Sequence, residues 1–128
     1  MIAYLDLADY LLIAERVLGV PAADLARLDR ISLAESALAA PAMSFGGLEF
    51  YADPIMKAAV LCARLARNHP LPDGNKRAAY LSLREFLARN AIEFRRPSVD
   101  ETVAMIESVA AGDVPEPEFA DWLRQHVV

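Results

Sequence analysis

Nine residues, His69 to Arg77 (HPLPDGNKR), place an imidazole, a carboxylate, a glycine, a carboxamide and two cations between two helical patterns. A helix N-terminus offers unpaired backbone amides and a partial positive charge, so phosphate binds there readily. The second pattern opens at Gly74-Asn75. Gly74 lets a ligand approach the main chain, Asn75 can donate to an oxygen, and Lys76 and Arg77 supply charge, Arg77 with bidentate geometry. Asp73 would repel a bare phosphate, and a magnesium ion between the two removes that conflict. An imidazole takes up a proton near neutral pH, so the natural task of His69 is to activate an attacking hydroxyl. Pro70 and Pro72 stiffen the connection, and Leu71 between them is its one apolar anchor. Singly, each group has an ordinary structural explanation, as a cap or a solvated cation. Together at one helix start they point to magnesium-assisted chemistry on a nucleotide phosphate. A Walker phosphate loop is excluded, because no glycine precedes Gly74 at the required distance and no Ser or Thr follows Lys76.

The elements around this stretch are helical. Leu7, Tyr10, Leu11, Ala14, Val17 and Leu18 recur at helical spacing, with Asp6 able to cap the start and Gly19 to close the end. Pro21 to Arg27 is a connector with room for a turn of helix, and Leu28 to Ala40 predicts a second helix stopped at Pro41. The next stretch, PAMSFGGLEFYAD, has the form of a hairpin or flap around Gly46-Gly47. Its aromatics either dock back on the core or offer a surface to a partner. Phe45, Gly46, Gly47 and Tyr51 are the candidates for meeting a target there.

Asp53-Pro54 starts a helix running to about Asn68, with a wide apolar face and polar residues confined to Lys57, Arg64, Arg67 and Asn68. Such a helix is expected to be central and mostly buried. A further helix spans Asn75 to Asn90, on which Arg77 and Arg84 share a face. Ala91 to Pro97 is an extended connector, Ser98 to Glu101 a capping box, and two more helices follow, separated by Gly112, Pro115 and Pro117. The expectation is an all-α fold: one domain over 1–128, a compact bundle of about six helices with a short flap before the central one.

Composition narrows the function classes. Lys and Arg number 13 against 18 Asp and Glu, a net charge of -5, the wrong sign for broad phosphate-backbone contacts, so direct nucleic-acid binding is not expected. The apolar N-terminus carries Asp6, Asp9, Glu15 and Arg16, which fits neither a signal peptide nor a membrane span. Cys62 is the single cysteine, which fits a reducing compartment and a core role. The expected location is the cytoplasm. His126 shows no partner in the sequence and is expected at the surface.

The stretch HPLPDGNKR resembles the signature of the Fic/Doc family, which runs His, any, Phe, any, Asp or Glu, Gly or Ala, Asn, Lys or Gly, Arg. Only Leu71 departs from it, where Phe is usual. The segment FGGLEFYADPIMKAA is similar to the target-binding flap and following helix of the Doc (death-on-curing) branch. The resemblance implies a Fic/Doc-type fold and a transferase using ATP and Mg2+. Lys76 stands where adenylyltransferases of the family carry a second glycine, which implies transfer of the γ-phosphate rather than AMP; AMP transfer, or a catalytically silent partner-binding module, are the alternatives. His69 would be the base, Asp73 the magnesium ligand, and Gly74, Asn75, Lys76 and Arg77 the phosphate contacts. The implied target is a threonine hydroxyl of a translation factor such as elongation factor Tu, with translation and growth inhibited. The self-inhibitory run of Ser or Thr, three residues, Glu, then Gly or Asn is absent from these residues, which implies inhibition in trans by a Phd-like antitoxin.

Overall fold

The computed structural model describes residues 1–128 and is all-α apart from one small hairpin. Helices α1 (Leu7–Leu18), α2 (Ala22–Leu25) and α3 (Ile31–Ala39) lead through a 3-10 turn, Ala40–Ala42, to strands β1 (Ser44–Phe45) and β2 (Leu48–Glu49). Then follow α4 (Pro54–Asn68), α5 (Asn75–Arg89), α6 (Val99–Ala110) and α7 (Glu116–Arg124). The predicted caps of α1 and α4 act where expected, while of the box predicted at Ser98 to Glu101 only the Ser98 side chain's bond from the Glu101 amide forms. Asp6 and Asp9 form a reciprocal capping box on α1, Gly19 closes it in the left-handed conformation, and Asp53 accepts from the Ile55 amide ahead of Pro54.

Two boundaries differ from expectation. Leu28 to Arg30 form turns rather than helix, and α3 begins at Ile31 without a side-chain cap. At the other end Pro41 does not stop the chain's coiling, because proline at the first positions of the 3-10 turn needs no amide donor.

Helix α4 is the axis, packed by α3, α5, α6 and α7. Its alanines 58, 59, 63 and 66 are fully buried, as are Ala78 and Ala79 of α5, so small side chains let these two helices lie close. Cys62 is among them, its thiol pushed well above the usual range by burial, which suits a core residue.

The polar stripe of α4 is satisfied from within. Lys57 donates to Pro41 O and Glu49, Arg64 to Glu116 and Tyr51, Arg67 to the carbonyls of Val109 and Val114, and Asn68 to that of Leu33. The one helix thereby fastens the elements that surround it. The connector after α5 pairs with the chain end, Arg95 N donating to His126 O and Val128 N to Glu93 O. His126 is therefore not a free surface residue: its ring lies 5.0 Å from that of Trp122, and its Nε2 is 3.6 Å from Glu101.

Candidate functional site

The loop between α4 and α5 is held at three points. His69, the C-terminal cap of α4, takes the left-handed conformation (φ 49°, ψ 56°), which costs a non-glycine residue about 1–2 kcal/mol. Arg30 holds it there, donating from Nε to the His69 carbonyl at 2.9 Å and from Nη2 to the Asn68 carbonyl at 2.7 Å. Next, Leu71 is buried in the main core cluster, the anchor its apolar character predicts. Finally, Asn75 bridges the loop to itself: Leu71 N donates to Asn75 Oδ1 and Asn75 Nδ2 donates to Leu71 O, both at 2.9 Å.

That double contact fixes which end of the Asn75 amide is oxygen. It also directs Nδ2 toward His69 Nδ1 at 3.4 Å. The separation exceeds an ordinary hydrogen bond, so it aims the ring without fixing which nitrogen carries the proton. Asn75 is only 8% exposed, and its amide is engaged by the loop rather than free to solvent, a role its type and position did not announce.

Gly74 has φ 72°, and a Cβ there would lie 2.7 Å from Val17 Cγ1 on α1. Glycine is needed on the α1 side, by backbone conformation and by packing, whatever approaches from outside. Asp73 is exposed, and its Oδ1 accepts from the Gly74 amide at 2.8 Å, leaving Oδ2 without a protein partner. No group of three or more His, Cys, Asp or Glu residues could hold a metal by itself. A single free carboxylate oxygen fits magnesium bound with a nucleotide's phosphates, the common arrangement for this ion.

Lys76 and Arg77 occupy the exposed first turn of α5 and enter no ion pair. They form one end of a groove of about 830 Å³ between α5 and α6. Tyr80, Arg84 and Arg96 continue it, and Val99, Val103 and Ile106 line its apolar wall. The volume is within the range of small-molecule sites, and four cations face one carboxylate, Glu107. Spacing in the sequence pairs Arg77 with Arg84 but carries no sign of Arg30, Arg96 or Tyr80, since only the folded chain brings Arg30 to the His69 carbonyl and Arg96 into the groove. A second hollow of about 450 Å³, beyond Arg84 and Arg96, contains no residue of the loop.

The model for the Fic/DOC family matches residues 4–87, well over half of the sequence. The chain belongs to the Fic/DOC family. It is also similar to a protein named Toxin Doc from Mycolicibacterium smegmatis, 37% identical over 82 residues. That match spans 63% of this chain and 63% of the relative's length. Within the family match lie the hairpin, α4 and most of α5. Phe45 is 79% and Leu48 76% exposed at the hairpin, whose turn is Gly46-Gly47, both with positive φ. Tyr51 differs from them: it is half-buried and its hydroxyl accepts from Arg64 at 2.9 Å. No hydrogen bond or ion pair joins the hairpin to the loop at 69–77. No helix is long and apolar enough to cross a membrane.

Proposed function

We propose that this chain is a toxin that transfers the γ-phosphate of ATP to a hydroxyl of a protein target. One observation carries the reading: two unpartnered cations on the first turn of α5 line a groove of nucleotide-accepting size, and Asn75, which opens that turn, lies 3.4 Å from the ring of the exposed His69. The similarity to a protein named Toxin Doc supports it.

In this reading the phosphates lie against the N-terminus of α5, where backbone amides, Lys76 and Arg77 balance their charge. The groove beyond Lys76 and Arg77, past Tyr80, has room for base and ribose. Asp73 would hold magnesium together with the phosphates, and the ion, when bound, would neutralise charge on the oxygens of the transferring group. His69 accepts the proton of the target hydroxyl. The hydroxyl oxygen bonds to the γ-phosphorus, the bond to the β–γ bridging oxygen breaks, and ADP leaves with the electron pair. The target is a threonine of a translation factor such as elongation factor Tu, so translation stops, and a Phd-like antitoxin restrains the toxin in trans.

AMP transfer is the second reading, and Lys76 weighs against it, since a bulky cation stands where the alternative needs room for a diphosphate. Incubation with a bacterial lysate and ATP labelled at the α or the γ position separates the two. Protein label from γ-labelled ATP alone is expected; label from the α position alone would sink phosphate transfer.

A further inference from the structure

The mechanism makes no use of Lys57, although it is the one lysine with no exposed surface (0%), in the first turn of the central helix α4. Burying an ammonium is costly unless partners surround it. Three groups surround it: Nζ donates to the Pro41 carbonyl and to Glu49 Oε1, both at 2.9 Å, and lies 5.3 Å from the Tyr4 ring centroid. Burial alone would lower its pKa, but Tyr4 and Glu49 outweigh it and raise the value, so the charge is kept.

Two of these contacts grip the hairpin. Pro41 belongs to the turn that leads into β1, and Glu49 is the last residue of β2. In the antiparallel register Ser44 is opposite Glu49 and Phe45 opposite Leu48. Successive residues of a strand point to opposite faces, so pulling Glu49 toward α4 turns the Phe45–Leu48 pair away from it. A ribbon of two residues per strand has little stability of its own. Its orientation must come from outside, and Lys57 holds it at its entry and at its last residue, while Arg64 holds Tyr51 just beyond.

We propose that Lys57 is a positioning residue, whose grip on Glu49 and Pro41 fixes the hairpin with Phe45 and Leu48 facing outward to receive the protein substrate. The substrate-facing part rests on the phosphotransfer reading. Both grip and reacting histidine sit on α4, twelve residues or about 18 Å apart along the axis, so this rigid helix spaces the docking surface from the chemistry.

Glu49→Ala cuts the contact at a half-exposed side chain, where loss of the fold is not at issue; Lys57→Met cuts it from the core side. In the wild type, backbone amide order parameters for residues 44–50 should match the rigid value of about 0.85, and in both variants fall below about 0.6. Label incorporation from γ-labelled ATP, titrated against lysate, should need about tenfold more lysate for half-maximal rate in Glu49→Ala, with the limiting rate within twofold. Unchanged order parameters in both variants overturn the proposal. So does a loosened hairpin with an unchanged half-maximal lysate concentration. A wild type that labels nothing overturns phosphate transfer and the substrate-facing role with it, while the order parameters still decide whether Lys57 holds the hairpin.

Discussion

The cations of α4 and those opening α5 are close in sequence and opposite in circumstance. Lys57, Arg64 and Arg67 each make two contacts or more inside the fold, whereas Lys76 and Arg77 make no ion pair and face a groove. Charge at a helix surface is therefore a poor guide to use: what separates scaffold from site is whether the fold already supplies the counter-group. The first set holds the molecule together. The second is left for something that arrives.

The largest expected effect tests the site side of this contrast. His69→Ala should lower γ-phosphate transfer by about 10²–10⁴-fold, with growth inhibition lost at equal expression and Tm within about two degrees of wild type; toxicity surviving the change would favour a binding module. Arg77→Ala should follow, with transfer down roughly 10²-fold and stability unchanged, since no protein partner is lost. Loss of stability instead would erase the distinction between the two sets.

On the scaffold side, Arg67→Ala strips donors from two carbonyls and should cost about 1–3 kcal/mol in urea unfolding. The smallest effect is expected at the exposed pair of Asp9 and Arg89, which joins α1 to α5 at 2.9 Å. The Arg89 guanidinium holds the Asp9 carboxyl below its usual range, despite partial burial. A depressed folded pKa gives stability that is complete above about pH 4 and is lost as pH falls through the lowered folded value. Arg89→Ala should thus lower stability by about 0.2–1 kcal/mol at pH 7, with the difference from wild type shrinking in acid.

The sequence carried the helices because their signals are local. Asp53-Pro54, Gly19 and the apolar spacing of α1 and α4 act within a few residues of themselves, and the structure forms each where expected. The HPLPDGNKR stretch was legible for the same reason, since its residues are contiguous. What stayed hidden depends on distant partners. Arg30 reaches across 39 positions to the His69 carbonyl, and the half-buried environment of His126 exists only because the chain end returns to Phe94. The stripe on α4 showed this limit most clearly: spacing located it, but nothing local said that every member would be met from inside. Asn75 likewise looked free to donate, and its amide proved to be engaged by Leu71.

The close approach of Gly74 to Val17 ties two places 57 positions apart into one unit of variation. The family signature admits alanine at the glycine position, yet an added methyl here would strike the valine. Among relatives, alanine at the one should therefore travel with a smaller or withdrawn side chain at the other. In this chain Gly74→Ala alone should be harmful, and Val17→Ala made with it should recover part of the loss.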